Sequence, residues 1–104
     1  MGDISFEKAK ELVGAEGVKF IWLGSEPADY ICRLIGVEES SMISLDPMEI
    51  LTMEADKARK LEGHVFVCYH GNTSAFIVNH LKNKHGIESF NMEGGITSVA
   101  GEIF

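Results

Sequence analysis

Short apolar runs alternate along the chain with stretches whose apolar residues recur at helical spacing. Ser5 can cap a first helix carrying Phe6, Ala9, Leu12 and Val13 on one face, closed by Gly14 and Gly17. Val18 to Leu23 reads as a strand and Gly24-Ser25 breaks it. Ser25 is the expected cap of a second helix, with Pro27 in its first turn and Ala28, Ile31, Leu34 and Ile35 inward. Gly36 closes it, and Glu38 to Ser41 reads as a solvated loop. Met42 to Leu45 reads as a second strand. Asp46-Pro47, with Glu49 at the capping-box position, predicts a third helix with Met48, Leu51, Ala55 and Ala58 as its core face, ended by Gly63. Val65 to Val67 reads as a strand buried on both faces. A helix from Ser74 puts Ser74, Ile77, Val78 and Leu81 on one side. It ends in Lys82-Asn83-Lys84-His85-Gly86, basic residues suited to its negative end. Ser89 to Met92 predicts a last strand, Glu93-Gly94-Gly95 a tight turn with close backbones, and Ile96 to Val99 a final helical piece. Strands alternating with helices imply an α/β domain with a parallel sheet covered on both faces.

Within that frame one junction carries chemistry. Cys68 ends the apolar strand, Gly71-Asn72 turns the chain, and a helix follows at once. Ligands of open α/β sheets bind beyond the carboxyl ends of the strands. The amides that open a helix have no internal partners and favour an anion or a thiolate there. Such surroundings make a cysteine a nucleophile. The bland alternative is a small buried hydrophobe, the commoner fate of a free cysteine. The strand-end position before Gly71 favours the reactive reading.

Charge and length narrow the classes. With 104 residues there is room for one domain, spanning 1–104, and one modest core. The net charge of −7 argues against nucleic acid and anionic membranes as partners. It also repels anionic substrates at long range, so an anion site must be built locally from amides. No apolar run approaches membrane-spanning length, and Met1 to Ser5 lacks a basic-then-apolar leader, so a cytoplasmic protein is expected. Cys32 and Cys68 are too few for a disulfide scaffold and lack the spacing of a zinc site. A packed thiol or a resolving cysteine are the two readings of Cys32. No ligand cluster suggests a metal, and His64, His80 and His85 are expected on the surface.

The stretch from Cys68 to Ser74 resembles a rhodanese-like domain. That family's pattern is an apolar strand, Cys-x-x-Gly-x-x-Ser, a helix, a strand, then Gly-Gly. Here it reads Val65-Phe66-Val67-Cys68, Gly71, Ser74, a helix to Lys84, Phe90-Asn91-Met92 and Gly94-Gly95. The loop Cys68-Tyr69-His70-Gly71-Asn72-Thr73-Ser74 is similar to that of single-domain bacterial thiosulfate sulfurtransferases, which read Cys-Tyr-His-Gly-Asn-Ser-Ser. The resemblance covers Val65 to about Val99. Two departures stand out. The family's Asp-x-Arg strand end falls on Trp22, Leu23 and Gly24, and the arginine many members place before the last loop residue is Thr73.

The resemblance implies a three-layer α/β/α domain around a mostly parallel sheet of about five strands. It implies transfer of sulfane sulfur through a Cys68 persulfide, from a thiosulfate-like anion to cyanide, a small thiol or a protein thiol, with no cofactor and no metal. The amides of Tyr69, His70, Gly71, Asn72, Thr73 and Ser74 would cradle the charged outer sulfur. The Thr73 and Ser74 hydroxyls either donate to it or cap the helix. His70 either recruits the donor or is a solvent-facing loop histidine, and Tyr69 lines the mouth or packs. Phosphatases of the cell-cycle type share the fold, but their longer loop ends in arginine, and no arginine follows Cys68 here. The rival reading is a degenerate domain that binds a partner or senses redox state.

Overall fold

Three-residue strands hold together in this protein because each is paired on both sides or shielded by a helix. The computed structural model describes residues 2–15 and 17–101; the ends of the expected 1–104 domain lie outside them. Five strands form one sheet: β1 (Asp3–Ile4), β2 (Phe20–Trp22), β3 (Met42–Ser44), β4 (Val65–Val67) and β5 (Phe90–Met92), in the order β1-β5-β4-β2-β3. Every pair is parallel, with Phe20 opposite Val65 and Met42, and Phe66 opposite Asn91. The central pair β2 and β4 is fully buried, which is why both read as continuous apolar runs.

Side chains alternate across the sheet. Phe20, Trp22, Val65, Val67 and Met92 face one layer, α1 (Phe6–Leu12) and α2 (Ala28–Ile35), through Ala9, Ile31, Cys32 and Ile35. Ile21, Leu23, Phe66 and Cys68 face the other: α3 (Pro47–Thr52), α4 (Ala55–Ala58) and α5 (Asn72–His85). A last helix, α6 (Thr97–Ala100), follows the turn after β5 and contacts α2. The three-layer α/β/α arrangement is thus present.

Several elements differ from their sequence reading. β1 was not legible: two residues carry no periodicity, and its pairing of Asp3 with Asn91 and Ile4 with Met92 spans nearly the whole chain. Ser25 does not cap α2; Pro27 holds that position in an extended conformation, with no side-chain bond, and the Ser25 amide is used elsewhere. The third helix is two short ones. Asp46 caps α3 as expected, accepting from the Met48 amide at 2.9 Å. Met53 and Glu54 are then extended, and a 3₁₀ turn, Arg59–Leu61, follows α4. That joint lets Ile50, Ala58 and Leu61 enter the core beneath α5, while Met48 is 63% exposed and Ala55 is exposed. α5 begins at Asn72, two residues before Ser74, but its inward face of Ser74, Ile77, Val78 and Leu81 is as read. His64, His80 and His85 are half-buried rather than on the surface. His64 Nδ1 accepts from the Lys19 amide at 3.0 Å, tying the start of β4 to that of β2.

Candidate active site

Strand β4 delivers Cys68 to the carboxyl edge of the sheet, and the chain must then turn into α5 within four residues. Gly71 makes the turn possible. It is the N-cap of α5 with φ +94°, a conformation that L side chains rarely adopt, and a Cβ there would stand 3.0 Å from the Gly94 amide nitrogen. Gly71 has no side chain with which to cap the helix. The sulfur does so instead: Cys68 Sγ accepts from the Gly71 amide at 3.1 Å and the Ser74 amide at 3.3 Å. The helix therefore starts earlier than Ser74 because a thiol, not a hydroxyl, closes its first turn.

The turn through Gly94-Gly95 braces this loop from behind. Ile96 N donates to Cys68 O at 3.0 Å and Thr97 N to Tyr69 O at 3.1 Å. Backbones approach so closely that a Cβ on Gly95 would fall 2.4 Å from Cys68 O and 2.5 Å from Tyr69 O, at φ +60°. The turn read from Glu93-Gly94-Gly95 is thus the floor of the Cys68 loop.

The loop residues do not all face the sulfur. Cys68 is 4% exposed and Ser74 is fully buried, with Ser74 Oγ 3.3 Å from Cys68 Sγ. Ser74 is the third residue of α5, not its cap, and its hydroxyl donates to Asn91 Oδ1 on β5. Asn72 and Thr73 are exposed on the first turn, where their amides have no intrahelical acceptor. His70 is exposed. Tyr69 is half-buried and packs edge-on against Trp22, ring centroids 5.2 Å apart. Its hydroxyl donates to Glu26 Oε1 and accepts from the Ser25 amide at 3.1 Å.

Trp22 occupies the strand end where the resemblance led one to expect Asp-x-Arg. It is buried, and its Nε1 donates to the Glu26 carbonyl at 2.9 Å. Gly24 must be small there, since a Cβ would meet the Trp22 ring at 2.2 Å and the Tyr69 hydroxyl at 2.8 Å. The β2–α2 turn is therefore wrapped on Trp22 and tethers Tyr69. Gly24 and Ser25 also line an open cleft of about 340 Å³ with Leu23, Leu45, Asp46 and Pro47. Asp3, Ser25, Glu26 and Asn91 were invisible as site neighbours in the sequence. Each lies far from the loop along the chain, and only sheet order brings it close.

Cys32 lies on the other side of the sheet, fully buried against Met42. Both cysteines are free. Burial pushes the Cys32 thiol up, reinforced by the Glu39 and Asp29 carboxylates. Among the described residues no group of three or more His, Cys, Asp or Glu stands close enough to hold a metal ion, and no helix is long and apolar enough to cross a membrane.

No protein-family model matches the chain, and no curated protein matches it. Solved structures do. A rhodanese-like domain protein from Staphylococcus aureus is 21% identical, with a TM-score of 0.66 over 99% of this chain and 95% of that one. A rhodanese-related protein from Thermoplasma volcanium is 23% identical, with a TM-score of 0.63 over 100% and 95%. A protein from Staphylococcus saprophyticus subsp. saprophyticus is 17% identical, with a TM-score of 0.64 over 99% and 97%. The chain has the rhodanese-like fold.

Proposed function

We propose that this protein is a sulfurtransferase of the rhodanese type, with Cys68 as its nucleophile. The carrying observation is the convergence of the Gly71 and Ser74 amides on Cys68 Sγ at the head of a 14-residue helix. Donors fixed around a sulfur suit negative charge on it, and they need no rearrangement when that charge develops. A positively charged side chain is not required for the step, which fits a chain of net charge −7.

The thiolate of Cys68 attacks the outer sulfur of thiosulfate or a related donor. A new S–S bond forms, the donor's S–S bond breaks, and sulfite leaves with the electron pair. Cys68 then carries a persulfide. The Asn72 and Thr73 amides, the next donors of the first helical turn, are available to its outer sulfur. His70, exposed on the same loop, is placed to meet the anionic donor as it arrives. Tyr69, held by Glu26 and Ser25, keeps the loop in register. Cyanide or a thiol, small or on a protein, next attacks the outer sulfur. The S–S bond to Cys68 breaks, the thiolate is restored, and the product is thiocyanate or a new persulfide. No oxidant or cofactor enters either half, and the covalent intermediate predicts ping-pong kinetics.

Intact mass of the reduced protein after incubation with thiosulfate tests this reading, with Cys68→Ser beside it. The expected result is a gain of one sulfur atom in the wild type alone, removed by cyanide with release of thiocyanate. An unmodified wild type whose Cys68 also resists alkylation would overturn it, leaving a domain that binds a partner without turnover.

A further inference from the structure

The hydroxyl beside the nucleophile is wired to two residues that this chemistry does not use. Asn91 lies on β5, next to β4, and is 5% exposed. Its Nδ2 donates to Asp3 Oδ1 on β1 at 3.1 Å. An ionised carboxylate only accepts, so the amide nitrogen is held toward Asp3 and the carbonyl oxygen toward Ser74. A carbonyl also only accepts, so Ser74 gives its single hydroxyl proton to Asn91 Oδ1. What Ser74 Oγ then presents to Cys68 Sγ, 3.3 Å away, is a lone pair. A thiol can donate to a lone pair. A thiolate or a persulfide anion cannot.

We propose that Asp3 and Asn91 are positioning residues which, through Ser74, hold Cys68 in its thiol form in the resting protein. They act against the two amides that favour charge on the same sulfur. When the thiol proton leaves to a solvent base, the Ser74 hydroxyl turns from Asn91 Oδ1 to the sulfur and becomes a third donor. The buried bond to Asn91 is given up in that turn, and its loss sets the height of the brake. Titratable groups stand on three sides of the site: Asp3 behind Asn91, Glu26 at Tyr69, and His70 on the loop itself. Asp3 connects to the Ser74 hydroxyl through Asn91. The device deepens the sulfurtransferase reading and rests on Cys68 being the nucleophile, but its test needs no sulfur donor.

The test is the pH profile of Cys68 carbamidomethylation by iodoacetamide, read by mass spectrometry. Asn91→Leu preserves volume and removes the acceptor. Its profile should move toward lower pH by about one unit, the scale of one hydrogen bond to a charged group. Asp3→Ala frees the amide to turn and should move the profile the same way, by less. In a Ser74→Ala background neither substitution should move it. Profiles that superimpose on the wild type would overturn the proposal, as would shifts that persist without the Ser74 hydroxyl. Asp3 is exposed, so Asp3→Ala gives a readable protein even where Asn91 variants do not fold. Sulfur loading is scored separately. Shifted profiles with no sulfur uptake would sink the transferase reading and keep the brake; uptake with unmoved profiles would do the reverse.

Discussion

Two thiols of nearly equal burial sit on opposite faces of one sheet: Cys32 at 1% exposure and Cys68 at 4%. Their partners differ in kind. Cys32 Sγ faces two acceptors, the Glu38 carbonyl at 3.6 Å and Met42 Sδ at 3.7 Å. Cys68 Sγ faces two amide donors, with the Ser74 hydroxyl oxygen beside them at 3.3 Å. Acceptors keep a proton on sulfur; donors stabilise its loss. Burial by itself therefore says little about a cysteine's chemistry, and the polarity of the groups aimed at it says much. The difference follows from position. Cys32 lies inside α2, whose amides are consumed by the helix, while Cys68 lies just before a helix whose first amides are spare. A disulfide between the two would have to cross the sheet, so the resolving-cysteine reading of Cys32 finds no support in the fold.

The comparison is sharpest where it can be broken from outside the sulfur. Gly95→Ala should do so most strongly, because the new Cβ would collide with the carbonyls of Cys68 and Tyr69. A loss of about 3 kcal/mol in denaturant unfolding is expected, with transfer falling alongside. Gly14→Ala, also at positive φ but with open space around it, should cost only about 1 kcal/mol. Equal losses in the two variants would mean that the bracing contact is unimportant. Cys32→Ala comes next. Loss of a packed sulfur should lower stability by about 1 kcal/mol while sulfur loading of Cys68 is retained. A large fall in loading would show that Cys32 is more than packing.

The smallest effect concerns His64, which ties β2 to β4 beneath the site. Burial lowers its pKa from the usual 6.5, the nearby Lys19 charge adding to this and a hydrogen bond donated to the Lys60 backbone carbonyl opposing it. The unfolded chain then takes up the proton first as pH falls. Stability that is full above about 6.5 is lost as pH drops toward the folded value. Urea midpoints at about pH 7.5 and about pH 5.5 should show a smaller decline in His64→Gln than in the wild type. Equal declines would assign the dependence to other groups, such as His80, which burial also lowers.

The alternation of strands and helices after β1, the buried pair β2 and β4, the inward face of α5 and the Cys68-to-Ser74 junction were all legible in the sequence. Each is a local pattern, in which neighbouring residues share one element or one turn. The signals failed where a longer pattern had two packings. Met48, Leu51 and Ala55 matched a helical stripe, yet with the break at Met53 and Glu54 Ile50 is buried, Leu51 is only partly so, and Met48 and Ala55 are exposed.

Tertiary structure alone decided what surrounds the sulfur beyond its own loop. Glu26 meets Tyr69 across 43 positions, Ser74 meets Asn91 across 17, and Asn91 meets Asp3 across 88. No periodicity or motif encodes such contacts. They exist because parallel pairing places β1 beside β5, β5 beside β4 and β4 beside β2, bringing side chains from all four strands' neighbourhoods to one edge. The sequence by itself determined that a cysteine would stand at a helix mouth, since backbone amides and a glycine turn suffice for that. Which hydroxyl, amide and carboxylate stand behind it depended on the order of the strands.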